Sequence, residues 1–254
     1  MKKQSVILSI DSLINQNSLE KGAIQYIEYL LRNEIPFYII YEQCSRNKAQ
    51  IINYLIKRGM PELDSNILYA SSDAAIAWML SKDNAFNKVV YIGGRGLKES
   101  IEIAHLQIDY RSPDAVLLGL NREVSYKDYN DVLQYILNGA KFISIDNRKT
   151  QIYEGITMIG NDAIVKMLEC ASDTRALKFG RGSEMLLFES LKHFGLDKEN
   201  TIMISDDFYG DLLPAMNLGL KTILITNGQS IETFGFDKNY HPDSIAETYY
   251  GLIK

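Results

Sequence analysis

The sequence predicts an α/β protein built on a doubly wound parallel sheet, with a smaller α/β domain inserted into it. Two observations carry that expectation. Short β-branched runs alternate with amphipathic helical stretches along most of the chain, the pattern of βαβ units and parallel sheets. No low-complexity tract, internal repeat or Pro/Gly-rich linker divides the chain, so a second domain has to be an insertion rather than a tethered bead.

Val6-Ile-Leu-Ser-Ile10 reads as a buried strand, and Ala23, Ile24, Ile27, Leu30 and Leu31 recur at helical spacing behind it. Pro36 precedes a second strand, Phe37-Tyr-Ile-Ile40, and Ile51, Ile52 and Leu55 mark the next helix. Further strands are read at 88–92, 115–118, 141–145, 201–204 and 221–225. The core is expected over residues 1–67 and 176–254, and the inserted cap over 68–175.

Composition excludes several function classes. With 254 residues, 46% of them hydrophobic, the chain can bury a core without metal or disulfide staples. A net charge of -5 argues against a nucleic-acid partner, which would want a basic face. No apolar run approaches the roughly 18 residues of a membrane span, and Val6 to Ile10 is too short for a signal peptide. The two cysteines, Cys44 and Cys170, have neither CxxC spacing nor a nearby His, so no zinc site or disulfide is expected. A cytoplasmic protein is the default reading.

In parallel sheets of this kind ligands gather at the carboxyl ends of the strands. Two of the strands end in acid: Ile10-Asp11, and Ile204-Ser-Asp-Asp207 with Asp211 close behind. Carboxylates converging there suit a hard cation such as Mg²⁺, which often brings a phosphate with it. The competing reading is that Asp206 and Asp207 merely cap the helix that starts near Asp211.

The stretch Met203-Ile-Ser-Asp-Asp-Phe-Tyr-Gly-Asp-Leu-Leu213, followed by 215–225 and Asn227-Gly228, resembles the last signature of haloacid dehalogenase superfamily phosphatases. More narrowly it is similar to their NagD-type, nitrophenylphosphatase-like subgroup. Residues 19–30 and 35–37 match the stretch after that family's first signature, and 116–124 and 139–143 look like its cap. The resemblance implies phosphoryl transfer through an aspartyl-phosphate. One Asp attacks phosphorus, a second protonates the leaving oxygen and activates water, and Mg²⁺ neutralises the phosphate.

Laid onto this chain, the first pair of acids falls at Ser9, the nucleophile position, and Asp11, the acid/base position. The nucleophilic carboxylate is absent. The resemblance nominates Asp206, Asp211 and Asp11 for the metal, but without a carboxylate at position 9 Mg²⁺ should bind weakly or not at all. The second signature, a Thr before paired Asn in the family, reads Tyr41-Glu42-Gln43; the third, Gly-Lys-Pro, reads Gly180-Arg181-Gly182 with one residue missing. Tyr41 is bulky where a small hydroxyl belongs, and Glu42 sets a negative charge where a phosphate oxygen should bind. Arg181 offers a bidentate clamp, with Lys178 nearby. In the last signature Ser205 replaces a glycine.

Gly93-Gly-Arg-Gly96 follows a strand and opens a helix, but a lone GxG is a weak dinucleotide signal. His105, His193 and His241 are scattered without ligand spacing, and Tyr26, Tyr54 and Tyr135 fall on helical stripes. Asp146 and Asn147 end a cap strand where the family places a substrate-selecting loop; a simple turn is the alternative. The expected function is a catalytically degenerate phosphatase-like protein that binds a phosphorylated metabolite or a protein partner. The runner-up is a slow Mg²⁺-dependent phosphatase in which Asp11 activates water. Homo-oligomerisation is left open.

Overall fold

The structure, a computed structural model, describes residues 4–15, 18–42, 45–81, 83–84, 86–236 and 240–253. In chain order the strands are β1 (Ser5–Ser9), β2 (Ile14–Asn15), β3 (Ser18–Leu19), β4 (Phe37–Tyr41), β5 (Leu68–Ala70), β6 (Lys88–Ile92), β7 (Gln107–Ile108), β8 (Ala115–Leu118), β9 (Lys141–Ser144), β10 (Thr150–Tyr153), β11 (Ile156–Ile159), β12 (Leu177–Lys178), β13 (Thr201–Ser205), β14 (Lys221–Ile225) and β15 (Ser244–Ala246). The helices are α1 (Ala23–Arg32), α2 (Lys48–Ile56), α3 (Ser71–Met79), α4 (Arg95–Ile103), α5 (Tyr126–Leu137), α6 (Asn161–Ser172), α7 (Glu184–Phe194) and α8 (Leu213–Leu218).

The chain forms two compact units. The first comprises Met1–Tyr41, Lys48–Tyr69 and Gly182–Lys254. Its six-stranded sheet has the order β15-β14-β13-β1-β4-β5, and β1 runs parallel to both β13 and β4. Connections run outward in opposite directions from β1 and β13, so the strand order reverses between them. In doubly wound sheets, ligands bind outside the carboxyl ends of the strands at such a reversal, here those of β1 and β13. β1 is buried along its whole length, with Ile7 and Leu8 fully enclosed. Its Val-Ile-Leu run is what a strand covered on both faces requires.

The second unit comprises Glu42–Asn47 and Ala70–Arg181. Its five-stranded parallel sheet has the order β12-β9-β8-β6-β7, which reverses between β6 and β8. Val90, Val116, Leu118 and Phe142 pack against Val132, Ile136, Val165 and Leu168 from α5 and α6. α5 starts where a capping box predicts: Ser125 Oγ accepts the Asp128 N–H, and the Asp128 side chain accepts the Ser125 N–H.

The divisions differ from those read in the sequence. Leu68 and Tyr69 stay with the first unit, while Leu177 and Lys178, expected in the core, form the strand β12 beside β9 in the second. Short strands such as β5 and β12 carry too few residues for a period to show. Among the described residues no helix is long and apolar enough to cross a membrane.

Candidate functional site

β1 and β13 pair with Leu8 opposite Ile204, so their last residues, Ser9 and Ser205, end side by side. Both are buried. On its other side β1 pairs with β4, Ser9 opposite Ile40, which sets the buried Tyr41 just beyond that register. Past β1 the chain turns through Asp11–Leu13, where Ser12 Oγ donates to the Ser9 carbonyl at 2.8 Å. With its one proton spent there, Ser12 accepts from the Tyr249 hydroxyl, also at 2.8 Å. Burial pushes the Tyr249 phenol well above its ordinary range; the hydrogen bond to Ser12 opposes this and the charge of Asp206 adds to it.

Past β13, Asp206 leads to Asp207, whose carboxylate accepts the Gly210 N–H at 2.8 Å and caps a wide π-type turn, Phe208–Leu212. That turn brings Asp211 back onto the strand end. Ser205 Oγ donates to Asp211 Oδ2 at 2.6 Å and accepts the Asp207 N–H at 3.1 Å. Asp211 is only 2% exposed. Parallel pairing therefore puts Ser9, Asp11, Tyr41, Asp206 and Asp211 at one edge of the first unit's sheet.

The remaining sequence-predicted residues belong to the second unit. Glu42 is 1% exposed, and its Oε2 accepts N–H groups from Arg181 at 2.8 Å and Asn147 at 3.1 Å. Its Oε1 forms an ion pair with Arg148 Nε at 3.2 Å, off the line of a hydrogen bond. Arg148 also grips Asp146 bidentately, through Nε at 3.1 Å and a terminal nitrogen at 2.6 Å. Burial, and then the neighbouring Asp146 charge, pushes Glu42 up to about 7, against the pull of Arg148 and the two N–H groups. Asn147 Nδ2 donates to the Arg181 carbonyl at 2.9 Å. Asn161, fully buried, ties the same loop by donating to the carbonyls of Asp146 and Leu118. Beside this knot a cavity of about 340 Å³ is lined by Gly94, Asn121, Arg122, Asp146, Arg148 and Gln151, among others. It lies where β6 and β8 diverge, the second unit's own point of strand-order reversal.

Residues 179–252 match the HAD-hydrolase-like family. Over 229 residues the chain is 27% identical to an acid sugar phosphatase of Staphylococcus epidermidis, covering 89% of this chain and 88% of that protein. It is 23% identical over 214 residues to the 5'-nucleotidase YutF of Bacillus subtilis, covering 84% and 83%. The structure of NagD from Escherichia coli K-12 superposes with a TM-score of 0.89 at 20% identity, over 98% of each chain. The chain has the fold of NagD, and its residues 179–252 carry the match to HAD-hydrolase-like proteins.

The resemblance to NagD-type phosphatases implies Mg²⁺ at the β1/β13 edge, and the residues present do not fit that ion. Position 9 supplies a hydroxyl in place of a carboxylate. Among the described residues no three His, Cys, Asp or Glu side chains form a group able to hold a metal.

Three expectations about the NagD-type signatures change. Glu42 is not a charge held out toward phosphate: its carboxyl is enclosed by Arg148 and two main-chain N–H groups. Lys178 is paired with Asp162 rather than standing by as a clamp. Asp146 and Asn147 do more than turn the chain, because both side chains are committed to Arg148 and Arg181. Gln43 and Cys44 lie outside the described residues. Arg148 and Asn161, which organise the knot, were missed in the sequence; neither sits in a motif, and their partners are remote along the chain. Gly180 had a signal whose reason is now visible. A Cβ there would come within 2.6 Å of Glu42 Oε2 and 2.7 Å of the Asn147 nitrogen. The Gly93 turn is also accounted for by packing, since a Cβ would strike Leu97.

Proposed function

We propose that this chain uses a phosphatase fold to bind a small phosphorylated metabolite without turning it over. One observation carries the reading: the residue ending β1, beside the acids that follow β13, is Ser9. Attack by a serine hydroxyl would leave an alkyl phosphate, which resists hydrolysis far more than the acyl phosphate an aspartate forms. The chemistry would halt at the covalent adduct, while the acids at the strand ends remain in place. The ligand class is supported by the relatives' names, which are those of sugar phosphatases and a nucleotidase.

The test is a thermal-shift and calorimetric screen of the full chain against sugar phosphates and nucleoside monophosphates, with inorganic phosphate assayed in parallel. A ligand at about a hundred times its Kd should stabilise the fold by about 2.7 kcal/mol. The reading requires such a shift without phosphate release; a panel with no shift refutes it. The relatives' names also favour a second reading, a slow phosphatase in which Asp11 activates water. That reading requires a rate that disappears in Asp11→Asn.

A further inference from the structure

A cavity of about 490 Å³ lies on one face of the first unit's sheet, larger than the one beside the Arg148 knot and within the roughly 300–1,000 Å³ of small-molecule sites. Its floor comes from β1, β13, β14 and β15 through Val6, Ile202, Ile223 and Ser244, which the parallel register puts on the same face. α1 adds Tyr26, Tyr29 and Leu30, and the one-turn helix Tyr249–Leu252 adds Gly251 and Leu252. Ser9, Asp11, Asp206 and Asp211 are not among its walls. Among the described residues no charged side chain lines it; the polar groups there, those of Gln4, Asn33, Ser244 and the two tyrosines, are all neutral.

Tyr26 carries the chemistry. The helical stripe on which it falls accounts for its ring, which stacks 6.2 Å from that of Tyr29 and packs 5.7 Å from that of Tyr249. It does not account for the hydroxyl. The residue is only 5% exposed, yet no described residue is hydrogen-bonded to its hydroxyl, whereas Tyr249 is bonded to Ser12. A tyrosine enclosed to this degree ordinarily finds a partner. Burial, and then the neighbouring Tyr29, pushes the Tyr26 phenol above its ordinary range, so it keeps its proton and is a donor without an acceptor. A charged molecule entering the cavity would lose its water and meet no counter-charge. An uncharged flat molecule loses little, covers the half-buried Ile202 and Ile223, and can offer Tyr26 an acceptor.

We propose that this cavity binds a small, uncharged, planar ligand bearing a hydrogen-bond acceptor, with its ring on the apolar floor and its acceptor at the Tyr26 hydroxyl. The site is separate from the strand ends that carry Ser9 and Asp206, so it stands or falls independently of the reading of Ser9.

The experiment titrates naphthamide, a neutral bicyclic amide, and naphthoate, its anionic counterpart, into the full-length protein by calorimetry. Wild type is compared with Tyr26→Phe, which removes only the hydroxyl, and with Ser244→Trp, which fills the cavity. Circular dichroism checks that each is folded, and Ile223→Trp stands in should Ser244→Trp not fold. The expected result is saturable binding of the amide to wild type with Kd on the order of a millimolar or tighter. Naphthoate should bind at least about tenfold more weakly. Tyr26→Phe should lose roughly three- to tenfold in affinity for the amide, and the filled variant should not bind it. Tyr26→Phe should also melt no lower than wild type, because no hydrogen bond within the protein is lost. Amide binding that is absent from wild type at millimolar concentrations, unchanged in Tyr26→Phe, retained in the filled variant or matched by naphthoate overturns the proposal.

Discussion

Glu42 should make this protein more stable as the pH falls from 7 toward 4.5, the reverse of what most carboxylates do. Its carboxyl is pushed from 4.5 in the free state to about 7 in the fold, chiefly because burial penalises the charged form. A pKa raised on folding means that the native state holds the proton more tightly than the unfolded chain. The group's stabilising contribution is therefore complete below pH 4.5 and is lost as the pH rises through 7. The difference of about 2.5 units corresponds to about 3 kcal/mol at 1.36 kcal/mol per unit. For a chain of this size each kcal/mol shifts Tm by roughly 2–4 °C, so the group alone spans roughly 6–12 °C. Other carboxylates titrate in the same window with opposite sign, so the informative quantity is the difference between wild type and Glu42→Gln. The amide keeps the shape and still accepts the N–H groups of Asn147 and Arg181, but it carries no proton equilibrium. Tm measured from pH 4.5 to 8 should show wild type gaining on the variant as the pH falls. Parallel profiles would refute the argument that Glu42 titrates in this interval.

Three further outcomes follow from the same geometry. Gly180→Ala should lower stability by roughly 1–3 kcal/mol in urea unfolding, because its Cβ meets Glu42 and the Asn147 backbone at under 3 Å. Asn161→Ala should cost roughly 2–3 kcal/mol by the same assay, since it strips donors from the carbonyls of Leu118 and Asp146 at a fully buried position. Tyr249→Phe should cost only about 1 kcal/mol, because Ser12 keeps its bond to the Ser9 carbonyl.

The fold was largely legible because its central strands are continuous β-branched runs. Val6-Ile-Leu, Phe37-Tyr-Ile-Ile40 and Thr201-Ile-Met-Ile204 are buried strands of one parallel sheet, as read. The short strands β5, β12 and β15 were not, since two or three residues define no period. At the site, the strand-end positions of Ser9, Asp11, Asp206 and Asp211 were readable because parallel pairing brings carboxyl ends to one edge. What Glu42 does was not readable. Whether a glutamate after a strand faces a ligand or a buried arginine depends on Arg148, more than a hundred residues away, and on the Asn147 and Arg181 backbones that converge on it. The meaning of Ser205 was hidden for a similar reason. Its departure from glycine was visible in the sequence, but the hydrogen bond to Asp211 appears only once the π-type turn is folded.

The central claim is that Ser9 leaves the β1/β13 edge without a working nucleophile. The most direct measurement is the initial rate of phosphate release from nitrophenyl phosphate and several sugar phosphates, with Mg²⁺, for wild type beside Ser9→Ala. The account predicts that the two proteins are indistinguishable and far below roughly 1 s⁻¹, the lower end of ordinary enzyme turnover. A wild-type rate at or above that level, lost in Ser9→Ala, would contradict it.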